Sequence, residues 1–224
     1  MRRRRSVVTI QTQIVTIHKR PTLSASTRPS LPASSSPDER LLEAAIAVFG
    51  VRGFEKARLQ EIVDRAAVSK PLFYRRYENK AAIFEAAVDR VFDDWRSALE
   101  AQSDCADGEE PEAIRRVFLA QLEYARSRPF LTRLLSRDGQ LVLTDRGGTW
   151  DRAVASLRDL LAGLIQRGRA NGRLRTDLPT AHLTDVLTEL HLSYANRQLL
   201  TDAAVPPRLA ASVIRTLLDG MAAD

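Results

Sequence analysis

Only Ala67-Val68-Ser69 separates two short stretches whose apolar residues recur at helical spacing. The first runs from about Arg58 to Ala66, with Leu59, Ile62 and Val63 inward; the second runs from Ser69, a good cap, through Tyr74 to about Arg76. Two short helices joined so tightly must cross steeply, which is a helix-turn-helix arrangement. The residues on either side complete a small bundle. At Ser36-Pro-Asp-Glu39 the serine can cap, Pro37 suits the first helical position, and Glu39 completes a capping box. Leu41, Leu42, Ala45, Ile46, Val48 and Phe49 follow at helical spacing, and Gly50 and Gly53 are expected to stop that helix, with Phe54 folding back. Asn79 caps a fourth helix that begins Lys80-Ala-Ala-Ile-Phe84.

On the third helix Leu72 or Phe73 can face the core, but Lys70, Pro71, Tyr74, Arg75 and Arg76 cannot all do so. From residue 69 to residue 80 there are four Lys or Arg against one Glu. Lys80, near the start of the fourth helix, is placed where a phosphate could also meet free backbone N–H groups. Arginine can read guanine edges bidentately, while lysine and a tyrosine hydroxyl more often hold phosphates. A helix carrying such a face suits a DNA major groove.

Taken in order, Leu42-Glu-Ala-Ala-Ile-Ala-Val-Phe49, Arg52-Gly-Phe54, Glu61-Ile-Val63, Val68-Ser-Lys70, Phe73-Tyr74 and Asn79-Lys80 resemble the DNA-binding head of the tetracycline-repressor (TetR) family. The resemblance covers roughly residues 38 to 84, about a fifth of the chain. It implies a homodimeric, all-helical regulator whose C-terminal domain binds a small molecule and releases double-stranded DNA. By position, Arg58, Ser69, Lys70, Pro71, Tyr74, Arg75, Arg76 and Lys80 correspond to the DNA-facing set. Two departures stand out. Arg58 and Leu59 occupy positions where the family usually places a capping Thr or Ser, and Ala67 stands where its turn usually carries Gly. That turn must avoid positive φ or accept strain.

The charge of the chain is concentrated in its first 37 residues. The net charge is +6, yet residues 1–37 alone carry +7 and no acid, leaving 27 basic against 28 acidic residues in the remainder. A nearly neutral body must hold DNA through a local patch. The basic, Ser- and Pro-rich segment reads as a disordered and dispensable arm able to add non-specific DNA affinity. Its Arg-rich, acid-free composition resembles a transit peptide, which the bacterial look of the following head argues against; a later translation start is a further reading. The single cysteine, Cys105, fits a reducing cytoplasm, and its polar neighbours mark an incidental loop thiol with no basic residue adjoining it. No apolar run approaches the ~20 residues of a membrane span.

After the head the reading is all-α: an N-terminal three-helix helix-turn-helix domain over 38–83, then an antiparallel helical ligand-binding and dimerisation domain over 84–224. Phe84, Ala87, Val88, Val91, Phe92, Trp95 and Leu99 form the stripe of a long connecting helix, broken over Asp104–Glu110. Further helices are expected from Pro111, around Phe130–Leu135, from about Trp150 to Asn171-Gly172, from Pro179 and after Pro206-Pro207, with a polar loop over 138–148. Trp95, Phe118, Tyr124, Trp150, His191 and Tyr194 are candidates to line an effector pocket, and each also fits ordinary core packing. The broad apolar faces of the last two helices suit pairing with a second copy as a four-helix bundle reading a palindromic operator.

Neither a phosphate-binding Gly loop, nor metal-ligand spacing, nor a nucleophile elbow is present in the sequence, and no cofactor, metal or enzymatic activity is expected. The leading expectation is a dimeric repressor released from its operator by an unknown small molecule. The alternative is a helical protein-interaction or ligand-sequestering module that keeps the helix-turn-helix as structure.

Overall fold

Side-chain caps start three of the four helices that build the head, and the computed structural model describes residues 36–134, 148–200 and 205–223. The N-terminal arm, apart from its last two residues, and the loop over 138–148, apart from Gly148, lie outside the described residues. Helix α1 (Pro37–Lys56) is capped by Ser36, whose Oγ accepts from the Glu39 N–H at 3.2 Å. It does not stop at Gly50, as its glycines suggested. The helix passes through Gly50 and kinks at Gly53, where φ is 74°. Gly50 serves close packing instead: a Cβ there would lie 3.1 Å from the backbone nitrogen of Phe130.

Helices α2 (Leu59–Ala66) and α3 (Lys70–Arg76) follow. Between them Ala67 adopts φ 52° and ψ 48°, the only positive φ outside glycine among the described residues. The turn therefore takes the left-handed conformation that glycine accepts freely and alanine resists. In return, the Ala67 N–H reaches Asp64 O at 3.2 Å and the Val68 N–H reaches Val63 O at 3.3 Å, closing α2. Arg40 of α1 adds a third closure, donating from Nε to Ala66 O at 3.1 Å.

Helix α4 (Lys80–Ser103) is capped by Asn79, whose Oδ1 accepts from the Ala82 N–H at 3.0 Å. Its first half packs Ile83, Phe84 and Ala87 into the head, and its second half carries Phe92, Trp95 and Leu99 into the body. Around it stand α5 (Glu110–Ser127), α6 (Pro129–Leu134), α7 (Thr149–Ala170), α8 (Thr180–Leu200) and α9 (Pro207–Met221). The fold is all-α. Among the described residues extended pairing is limited to one bridge, Leu174 with Ala222, where the Arg175 N–H donates to Met221 O at 2.9 Å.

One hydrophobic core runs from Leu41 to Met221. The head and body segments meet in an aromatic cluster: Phe84 of α4 lies edge-on to Phe49 at 5.0 Å and to Phe54 at 4.9 Å. Phe130 of α6 joins it, 5.8 Å from Phe84 and 6.3 Å from Phe49. Short α6 is thereby wedged against the head. Its next residue, Leu131, is buried in the body.

Glu110, at the start of α5, is buried beneath the junction of α5 and α7. Burial pushes its carboxyl up, but the Glu110 and Gly108 N–H groups, the Asn171 amide and Arg167 outweigh it and hold the group below its ordinary value. Arg167 also brings a guanidinium nitrogen to 4.0 Å from the Cys105 sulfur. The thiol, with no basic neighbour in sequence, thus has one in space.

Candidate nucleic-acid interface and body cavity

The face of α3 is arranged by one buried ring. Phe73 is fully buried and lies edge-on to Tyr74, with centroids 5.3 Å apart, so a core side chain steadies a phenol that is itself 54% exposed. Lys70, Pro71, Arg75 and Arg76 are exposed with it, as are Arg58 at the start of α2 and Ser69. Ser69 is committed to capping: the Leu72 N–H donates to its Oγ at 3.4 Å. Arg76 pairs through Nε with Asp38 of α1 at 2.9 Å, which braces α3 and limits the reach of that guanidinium. Arg58 supplies no side-chain cap, having no acceptor to offer. Instead the Glu61 carboxylate accepts from the Arg58 N–H at 3.3 Å, the reciprocal half of a capping box.

Lys80 is a correction. Its ammonium donates to the carbonyl oxygens of Phe54 at 2.9 Å and of Glu55 and Ala57 at 3.3 Å, and it sits 4.6 Å from the centre of the Phe54 ring. All three N–H donors are engaged inside the protein. The residue caps the end of α1 and ties it to α4, which commits its donors inside the protein. Sequence placed it correctly at a helix start but could not show that the end of α1 lies against that start.

The six pocket candidates divide. Trp95 and Trp150 line an apolar, partly open recess between α4, α5, α6, α7 and α8 with a cavity volume of about 30 Å³. The other four do not line it. Tyr124 braces α5 to α4: its hydroxyl donates to Val91 O at 2.9 Å, Arg128 lies over its ring, and burial pushes its pKa up to about 12. Phe118 packs edge-on against His191 at 5.1 Å and Tyr194 at 5.4 Å, a cluster beside the recess. His191 is fully buried, with its Nδ1 2.7 Å from Leu187 O. Burial lowers its pKa to about 4, against the opposing pull of that carbonyl, so the ring is neutral at physiological pH.

Sequence reasoning missed Phe92, Gln121, Leu131 and Leu192, which also face the recess. Gln121 did leave a signal. It falls in register with Ile114, Val117 and Phe118 on the inner face of α5, where an amide is out of place. Its Nε2 donates to His191 O at 2.8 Å, while its Oε1 is buried without a partner. Phe92 meets the Trp150 ring edge-on at 5.9 Å and forms the aromatic wall. No charged side chain lines the recess among the described residues. Nor does any group of His, Cys, Asp and Glu there have the makings of a metal site. No helix among the described residues is long and apolar enough to cross a membrane.

A family model for bacterial regulatory proteins, tetR family, matches residues 41–87, the segment that builds α1, α2, α3 and the start of α4. The HTH-type transcriptional regulator RutR of Escherichia coli (strain K12) is 26% identical over 141 residues, 61% of this chain and 66% of that protein, just under two thirds of its length. The HTH-type transcriptional activator FasR of Mycolicibacterium smegmatis is 42% identical over 65 residues, 28% of this chain and 30% of FasR. In three dimensions, a TetR transcriptional regulator from Chloroflexus aurantiacus J-10-FL superposes with a TM-score of 0.67 at 17% identity, over 83% of this chain and 96% of that one. The head matches in sequence, and the fold extends the match through the body. Over residues 41–87 the chain matches the DNA-binding segment of the tetR family of bacterial regulatory proteins, and its fold is that of solved TetR-family regulators.

Proposed function

We propose that this protein is a homodimeric repressor that reads a palindromic operator through α3 and leaves it when a small molecule occupies the body. The observation that carries the reading is the outward face of α3. Lys70, Tyr74 and Arg75 are exposed on a helix whose Phe73 is fully buried, so the face is held rigidly and left to an external partner. Lys70 and the Tyr74 hydroxyl suit phosphate oxygens and Arg75 suits base edges, with Pro71 in van der Waals reach. Arg58 at the start of α2 suits an adjacent phosphate.

Dimerisation is supported by the outer faces of α8 and α9. Val186 is 49% exposed and Leu209 39%, and Leu190, Val213 and Leu217 are only half-buried. Apolar side chains at this spacing on two successive helices fit a bundle with a twofold copy. Two α3 helices would then sit about 34 Å apart or a multiple of it. Coupling to the cavity is supported by α6, whose Phe130 abuts the head while Leu131 lines the recess. A ligand that prefers one placement of α6 shifts the population of head positions.

Gel shifts with the chain's own upstream DNA test the reading. Tyr74→Ala and Lys70→Ala are expected to weaken operator binding while leaving helical content and the sedimentation of the dimer unchanged. Lys70→Ala should also lower the slope of log affinity against log salt by about one phosphate contact. Absence of sequence-specific binding at low salt, or wild-type affinity in both variants, would overturn it.

A further inference from the structure

The recess between α4, α5 and α7 is lined by aromatic and aliphatic side chains with a single carboxamide among them, Gln121. Its orientation is fixed. The His191 carbonyl can only accept, so the amide nitrogen must face it, at 2.8 Å, and the oxygen must point the other way. That oxygen, on a side chain 2% exposed, meets no donor. A buried acceptor without a partner is costly, and the cost is recovered when a donor arrives. The neighbouring ring offers none, because His191 carries its own proton toward Leu187 and its Nε2 is a second buried acceptor without a partner. With no cation lining the recess, a carboxylate or phosphate would enter without a counter-charge.

Building on the reading of the body as an effector site, we infer that the effector is a neutral, largely apolar molecule with one hydroxyl or N–H group, which it donates to Gln121 Oε1. Trp95, Trp150 and Phe92 supply flat apolar walls, which suit a ring or a short chain. A cavity volume of about 30 Å³ has room for a water and little more, so the recess must widen around its ligand.

Three probes of matched shape decide the matter: 4-propylphenol, propylbenzene and 4-propylbenzoate, titrated into the full-length protein by calorimetry at neutral pH. The phenol is expected to bind about 10- to 100-fold more tightly than propylbenzene, the discrimination that one buried hydrogen bond provides. The benzoate is expected to bind more weakly than the phenol. In Gln121→Leu, which keeps the volume and removes the acceptor, phenol and propylbenzene should bind alike, with circular dichroism confirming the fold. Equal binding of phenol and propylbenzene by the wild type would overturn the inference. So would benzoate binding as tightly as the phenol, binding of none of the three, or a preference for the phenol that survives Gln121→Leu. Gel shifts without probe keep the two readings apart. Operator binding with no probe binding removes the ligand class alone, whereas probe discrimination without operator binding removes the regulator.

Discussion

Replacing Ala67 by glycine should make this protein more stable, although it deletes a methyl group from the middle of its DNA-binding head. At φ 52° and ψ 48° the alanine sits in the left-handed region. There its Cβ crowds the following carbonyl at a cost of about 1–2 kcal/mol. Glycine removes that strain but gains freedom in the unfolded chain, which takes back about 0.4–1 kcal/mol. The two bonds that close α2, Ala67 N–H to Asp64 O and Val68 N–H to Val63 O, involve backbone atoms only and survive the change. The Ala67 side chain is exposed, so little apolar burial is lost. The net expectation is a gain of about 0.5–1 kcal/mol, or roughly 1–4 °C in the melting midpoint for a chain of this size. Ala67→Val should move the midpoint the other way, since a branched Cβ fits the left-handed region worse than alanine. Differential scanning calorimetry on the three proteins gives the order directly. If glycine melts lowest, or valine highest, the turn is not strained in the manner described.

Three further outcomes are expected. Lys80→Met should destabilise the protein by about 1–3 kcal/mol in urea titrations, because three carbonyls at the end of α1 and the Phe54 ring lose their ammonium partner; the salt dependence of operator binding by the folded fraction should not change. The contribution of His191 to stability should be constant above about pH 6.5 and fall as the pH drops toward 4, because the unfolded chain protonates His191 where the folded chain, with its pKa of about 4, does not. The whole effect is at most about 3 kcal/mol, and His191→Phe should flatten this part of the pH profile of urea midpoints. Gly50→Ala should cost about 1–3 kcal/mol, since its Cβ would press on the Phe130 backbone at 3.1 Å, and a thermal melt reads the loss.

The head was legible in sequence because its signals are local. Ser36, Ser69 and Asn79 cap the helices they precede, and each cap depends on residues three apart. What could not be read were contacts between segments far apart in the chain. Lys80 meets the end of α1 across 23 to 26 residues of chain, and nothing near Lys80 records that. Gly50 looked like a terminator because glycine is a poor helix former, but the approach of α6 explains it better. The candidate cavity was harder still. Choosing aromatic residues finds the core, and only two of six faced the recess. Helix α8 also hides its inner face, where the Thr184 and Thr188 hydroxyls and the His191 Nδ1 bond to carbonyls one turn back. Its apolar periodicity is correspondingly blurred.

Phe130 and Leu131 are consecutive, so on a helix they point about 100° apart, one into the head's ring cluster and the other into the body's recess. Neither position can drift under selection by itself. A larger or smaller side chain at 131 that retunes what the body accepts will also tilt the wedge at 130, and variants at the two sites should show non-additive energies. Changes of ligand preference in this protein are therefore expected to travel with compensating changes among Phe49, Gly50 and Phe84, thirty or more residues away in the chain.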